Sequence, residues 1–278
     1  MTILEFTAVV WLGSLAAGFL GALSGLGGGV VVVPLLTLLL GVEIHYAAGA
    51  ALVSVIATSS GAASAYVREG YSNLRVGMLL EIATSLGAVV GAKLATRASG
   101  AVIAVVFGAV LLASAGLSLR RHAEPIDVGP PDPLAARLRL DGAYPTHPGL
   151  RRYRVRRVPL ASLLMGLAGV LSGLLGIGSG AVKVLALDAA MGLPFVVSTT
   201  TSNFMIGVTA AASAGVYLHR GYIDPGLAMP VMLGVLLGSL AGARALPHLG
   251  ARALRLVFAG LVAALGIEMI ANGLSGRI

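Results

Sequence analysis

Gly25-Leu26-Gly27-Gly28-Gly29 and Gly176-Ile177-Gly178-Ser179-Gly180 open two stretches that follow one pattern, 151 positions apart from Gly25 to Gly176. Carried on without a gap, that offset aligns Gly18 with Gly169, Gly41 with Gly192, Thr58 with Thr209, Tyr66 with Tyr217, Gly70 and Tyr71 with Gly221 and Tyr222, and Phe107 with Phe258. Identity between the copies is about a quarter, yet hydropathy and glycine positions agree over roughly 100 residues, the weak internal symmetry of duplicated transporters.

Around these stretches the 278-residue chain is 57% hydrophobic and 11% charged, against about 25% charged for soluble domains. It reads as an integral membrane protein. The first 25 residues hold no Lys or Arg, and the apolar run from Ile3 to Leu23 exceeds a signal-peptide core, so it is expected to stay as a first helix. The absence of cysteine removes disulfides, thiolate metal sites and persulfide relays. The net charge of +8 resides in one polar insert and at the ends of apolar runs, a pattern of membrane topology rather than of nucleic-acid binding.

Apolar runs at 4–24, 28–42, 45–67, 74–95, 100–119, 159–175, 179–192, 195–218, 225–246 and 252–272 predict an all-α protein with five segments per half. The expected division is a first repeat over 1–119, a cytoplasmic Pro/Arg-rich linker over 120–158 and a second repeat over 159–278. The second run of each half has about a dozen apolar residues after its glycines, roughly 18 Å of helix against a bilayer core of about 30 Å. It is therefore short or broken. If every run crosses, the second half is inverted; if the short runs re-enter, the halves are parallel. With the insert in the cytoplasm, inversion puts Arg68, Arg75, Arg244, Arg252 and Arg255 inside and Lys93, Arg97, Arg220 and Arg277 outside. The parallel arrangement puts Lys93, Arg97, Arg244, Arg252 and Arg255 outside, so the positive-inside rule favours inversion. Gly87-x-x-x-Gly91 and Gly238-x-x-x-Gly242 allow close helix packing and suggest that the halves meet there.

Two readings are open for the glycine clusters: helix breaks with close packing, or backbone N–H groups of Gly27, Gly28, Gly29, Gly178, Ser179 and Gly180 presented to a ligand. Both short helices begin at glycines, so their positive ends favour an anion. Lys183, among Val182, Val184 and Leu185 in the first turn of the second short helix, is penalised by about 2.5–3.5 kcal/mol in the membrane and repelled by the helix end. A bound anion relieves both penalties; snorkelling is the alternative. The counterpart of Lys183 is Val32, so the site is one-sided. Asp188, five residues on, does not share its helical face.

Thr199, Thr200, Thr201, Ser202 and Asn203 either satisfy themselves on preceding carbonyls or donate to anionic oxygens beside Lys183. Glu81, seven residues into the fourth run, is a proton carrier or an interfacial residue. His45, His219, Trp11, Tyr66, Tyr71, Tyr217 and Tyr222 are expected at membrane interfaces. No metal-ligand spacing, cofactor motif or paired acid and base is seen, so neither a metal, a cofactor nor an enzyme is expected.

The glycine stretch from Gly18 to Gly29 with Pro34 following, its echo ending at Gly180, and the paired segments His45-Tyr46-Ala47-Ala48-Gly49 and Ser198-Thr199-Thr200-Thr201-Ser202 resemble the TauE/SafE sulfite exporter family, also described as sulfonate uptake permeases. The likeness covers nearly all of the chain outside the insert. Ser179 in place of a glycine, and Gly49-Ala50-Ala51 in place of hydroxyls, depart from the family pattern. The resemblance implies a multi-pass permease of the bacterial inner membrane for small sulfur-containing anions such as sulfite or organosulfonates. The expected partners are that anion and membrane lipids, with a homodimer left open. Without a nucleotide-binding motif, the expected mechanism is secondary transport by alternating access; a passive anion channel and an accessory membrane protein are the alternatives.

Overall fold

The computed structural model describes residues 2–24, 28–119, 132–146, 149–245 and 251–277. Apolar segments in a bilayer must satisfy their backbone groups internally, and the described chain is accordingly helical: α1 (Ile3–Ser24), α2 (Gly29–Pro34), α3 (Ile44–Arg68), α4 (Leu74–Ala95), α5 (Gly100–Leu119), α6 (Pro133–Arg137), α7 (Val158–Leu175), α8 (Gly180–Leu185), α9 (Phe195–His219), α10 (Pro225–Ala245) and α11 (Ala251–Leu274). Among the described residues five of these are long and apolar enough to cross a membrane and the strands form one small hairpin, so the protein is an all-α membrane protein apart from that hairpin. The short segments α2 and α8 each run on as a π-helical turn, Leu35–Leu39 and Ala186–Ala190. Shifted by 151 positions, the bounds of α2, its π turn and α3 coincide with those of α8, its π turn and α9.

Glycine sets how closely the helices pack. A Cβ at Gly87, Gly91, Gly169 or Gly173 would meet a carbonyl oxygen of the facing helix, α7 or α4, at 2.0–2.2 Å. At Gly238 the same Cβ would meet Leu15 O of α1 at 2.0 Å, and at Gly18 it would meet Val235 O of α10 at 2.3 Å. The two halves thus touch backbone to backbone through Gly87, Gly91 and Gly238, as small residues in a membrane helix permit.

These contacts also give direction. Thr84 and Ala88 face Gly169 and Gly173, and Trp11 and Leu15 face Gly234 and Gly238, so α4 runs parallel to α7 and α1 parallel to α10. The His45 ring stacks on Tyr222 at 4.9 Å, Ser59 meets Gly207, and Thr200 donates to Tyr71 O at 2.9 Å. Helices α3 and α9 are therefore antiparallel. So are α5 and α11, where Ala101 faces Gly273 and Gly108 faces Gly266.

The segment expected as a linker carries folded structure over 132–157. Asp132 caps α6, accepting from Leu134 N at 2.8 Å, and its other oxygen accepts from Val158 N at the start of α7, 3.0 Å away. These backbone donors, Val158 foremost, hold its carboxyl below the ordinary aspartate range. Strands β1 (Gly142–Thr146) and β2 (Gly149–Tyr153) pair antiparallel with Gly142 opposite Tyr153. Leu140, Tyr144, Tyr153 and Val155 bury against Val76, Leu80, Met165, Leu187 and Met191. Asn73, the N-cap of α4, donates to Leu140 O at 2.8 Å and to the Tyr153 hydroxyl at 2.9 Å. The insert is thereby fastened to the beginning of α4. Its residues 120–131 and 147–148 lie outside the described ones, as do residues 246–250 between α10 and α11.

Candidate functional site

Helix α7 closes at Gly176, whose left-handed φ of 69° lets its N–H bond Ser172 O at 3.0 Å. Ser179 is left-handed too, at φ 42°, and its carbonyl accepts from Val182 N and Lys183 N, both at 3.1 Å. In the first half Gly28 O accepts from Val31 N and Val32 N at the same 3.1 Å, although Gly28 is right-handed. Gly27 lies outside the described residues. Packing accounts for three of the cluster glycines: a Cβ would meet Val235 at 2.6 Å from Gly28, Val55 at 2.7 Å from Gly29 and Ile206 at 2.4 Å from Gly178. The carbonyl of Gly180 faces the Ser202 hydroxyl at 3.4 Å.

Lys183 has no solvent exposure. Snorkelling, the alternative left open by the sequence, is therefore not what this side chain does. Its Nζ donates to Thr209 Oγ1 of α9. The Thr209 hydroxyl has one proton and two acceptors in reach, Glu81 Oε1 of α4 at 2.7 Å and its own helix's Met205 O at 2.8 Å. Glu81 also accepts from Ser85 Oγ at 2.8 Å. It is 7% exposed, so the interfacial reading of this residue is replaced by a buried one. Lys183 and Glu81 make no direct ion pair. Two polar atoms of this neighbourhood, Glu81 Oε2 and Ser179 Oγ, are buried with no hydrogen-bond partner among the described residues. A native structure rarely leaves such atoms unserved.

The hydroxyl run does not gather round the ammonium. Thr199 donates to Phe195 O or Val196 O, the self-satisfied alternative. Thr200 turns to Tyr71 O or to carbonyls of its own helix, and Thr201 Oγ1 accepts from Asn73 N at 3.0 Å. Asn203 is half-buried, and the side chain of α9 that the ammonium meets is Thr209. Here packing of α9 on the start of α4 has claimed the donors that sequence reasoning assigned to an anion.

Two aromatic assignments change as well. Tyr217 is fully buried, its hydroxyl donating to Gly173 O at 3.1 Å, a carbonyl of the last turn of α7, where helix C=O groups lack intrahelical partners. His45 is buried within the protein at the start of α3: Nε2 lies 2.9 Å from Ala95 O at the end of α4, and Nδ1 contacts the Glu43 carboxylate. The side chain of Tyr66 is outside the described residues. No group of three or more His, Asp or Glu with metal-binding geometry occurs among the described residues.

Thr209 is the site residue that sequence reasoning passed over. A signal existed: it lies seven residues, or two turns, beyond Ser202, on the same face of a helix. Lys183, without an acid on its own face, also required a carboxylate from another segment, and Glu81 is the acid in the middle of an apolar run.

A helical membrane protein that encloses an ammonium and a carboxylate between glycine-sealed helices has the build of a membrane transporter. The chain belongs to the sulfite exporter TauE/SafE family, whose family model matches residues 10–269. It is similar to the probable membrane transporter protein YunE of Bacillus subtilis, 25% identical over 98% of this chain and 99% of the relative. It is likewise similar to the probable membrane transporter protein YdhB of the same organism, 28% identical over 85% and 87%, and to the probable membrane transporter protein ORF9 of Sinorhizobium sp, 24% identical over 95% and 92%. No solved structure matches the chain.

Proposed function

We propose that the chain is a secondary permease for small sulfur-containing anions such as sulfite or organosulfonates, working by alternating access of two inverted repeats in a bacterial inner membrane with the insert cytoplasmic. The observation that carries this reading is Lys183: a fully buried ammonium whose link to a counter-charge runs through a hydroxyl. An ammonium has three donors, and Thr209 takes one. Ser179, the N-cap of α8, adds a buried hydroxyl without a partner among the described residues.

A small oxyanion held by Lys183 and Ser179 replaces Glu81 as the counter-charge. Glu81, then buried without a cation, takes up a proton from water, because an unpaired carboxylate in such a place is heavily penalised. Anion and proton travel together in this scheme. The antiparallel run of α3 and α9 and of α5 and α11, with α1 parallel to α10 and α4 to α7, supports inversion; if α2 and α8 re-entered, α3 and α9 would run the same way. The counterparts of Lys183, Thr209 and Glu81 at the same offset are Val32, Thr58 and Met232, which supports a charged site at one of two pseudo-symmetric positions, assembled from both halves.

Uptake of radiolabelled sulfite into proteoliposomes tests the reading. Wild type saturates and shows counterflow, Lys183→Met abolishes uptake, and Lys183→Arg retains part of it. Unsaturated flux without counterflow indicates a channel, and wild-type rates in Lys183→Met remove Lys183 from the site.

A further inference from the structure

A cavity of about 430 Å³ lies where the C-terminal ends of α4 and α9 meet, lined by Lys93, Thr96, Arg97, Ala212, Val216 and His219 together with Gly215 and Arg220. This end of the two helices is opposite the one that holds the insert, since Asn73 and Thr201 meet at their beginnings. None of the three permanent cations has an ion-pair partner among the described residues. Of the carboxylates at the same end, Glu43 contacts His45, and Asp224 accepts from Gly226 N at 2.8 Å.

The distribution of charge is what needs a cause. With the insert in the cytoplasm, inversion leaves four Lys or Arg residues on the outer face, where the positive-inside rule disfavours them. Three of the four line this one cavity. The seam between α4 and α9 that begins there also contains Glu81 and Thr209. From Thr209 to His219 is ten residues, about 15 Å of helix, and from Glu81 to Lys93 about 18 Å. At Gly215 a Cβ would meet nothing within 4 Å, so the cavity is open where α9 passes it.

We propose that this basic cavity is an outer capture site for small oxyanions, feeding the α4–α9 seam that leads to Lys183; the proposal rests on the permease reading. A concave, single-sign mouth raises the local concentration of an anion and its rate of encounter. With about 15 Å of helix between His219 and Thr209 the cavity is too far to touch an anion at Lys183. It therefore acts on capture and not on the chemistry at Lys183. An anionic lipid headgroup presents the same chemistry and is the competing occupant.

Sulfite uptake by right-side-out membrane vesicles gives the first measurement. Arg97→Gln/Arg220→Gln should raise KM about tenfold at low ionic strength with kcat within twofold, and the difference should shrink in concentrated salt. Arg97→Lys/Arg220→Lys should stay close to wild type, and Gly215→Phe, which fills the cavity, should raise KM without altering the charge. An unchanged KM in both Arg97→Gln/Arg220→Gln and Gly215→Phe overturns the proposal. The second measurement is equilibrium binding of radiolabelled sulfite in nanodiscs of phosphatidylcholine alone or with phosphatidylglycerol. Binding in phosphatidylcholine that survives Lys183→Met and is lost in Arg97→Gln/Arg220→Gln supports the capture site even where no uptake occurs, in which case the permease reading alone fails. Binding indifferent to Arg97 and Arg220, or a dependence on them confined to phosphatidylglycerol, assigns the cavity to lipid and overturns the proposal.

Discussion

Lys183 reaches Glu81 through a single hydroxyl, that of Thr209, and the three side chains come from α8, α4 and α9. The cation and the hydroxyl belong to one half of the chain and the carboxylate to the other. A change of charge at either end is therefore felt across the contact between the halves.

Thr209→Val keeps the shape of the side chain and removes its hydroxyl, leaving Lys183 and Glu81 without their shared partner. Loss of a buried partner costs about 1–3 kcal/mol, read as a fall in thermal stability of the purified protein. Sulfite uptake should fall at least tenfold in Thr209→Val and recover in Thr209→Ser. Equal losses in both variants would show that volume rather than the hydroxyl matters at this position.

Glu81→Gln preserves the acceptor for Thr209 and cannot take up a proton. In proteoliposomes this variant should exchange sulfite across the membrane yet fail to accumulate it in response to an imposed pH gradient. Accumulation equal to wild type would exclude Glu81 as the coupling group.

The glycine seam sets a contrast in stability. Gly173→Ala places a methyl 2.0 Å from Ala88 O, a clash relieved by separating α7 from α4 at a cost of about 1–3 kcal/mol. Gly116→Ala in α5 meets nothing within 4 Å and should stabilise its helix by about 0.5–1 kcal/mol. Thermal unfolding in detergent should move in opposite directions for the two variants; a shared direction would contradict the packing described for α4 and α7.

Asp132 joins the insert to the start of α7, and its carboxyl is held below the ordinary aspartate range by backbone donors. A depressed folded value means that its contribution is present above that range and lost as pH falls through the folded value. The protection factors of Leu134 and Val158, exchange taken relative to the intrinsic rate at each pH, should fall on acidification. Asp132→Ala should lower them about fivefold at neutral pH, in line with roughly 1 kcal/mol for an N-cap. Protection at Val158 that ignores both acid and the substitution would detach the insert from this anchor.

The helices and their breaks were legible in the sequence because lipid leaves an apolar segment few alternatives: the runs at 74–95 and 100–119 match α4 and α5. Lys183 was legible for the same reason, since an ammonium among valines needs a partner. What could not be read was the identity of that partner, because it depends on which faces α4, α8 and α9 turn to one another. Thr201 shows the difficulty: its hydroxyl is bound by Asn73 N, a residue 128 positions away. The hairpin at Gly142–Tyr153 was hidden by its polar composition, its core being borrowed from α4 and α7.

The backbone contacts at Gly87, Gly91, Gly169 and Gly173 have an evolutionary corollary. Positions that admit no methyl group admit no neutral substitution, so divergence among relatives of this chain must pass around them and collect on the lipid-facing ridge of the same helix, at residues such as Leu86 and Val90, which are more than half exposed. A lineage can exchange that ridge freely while the seam beside it stays still.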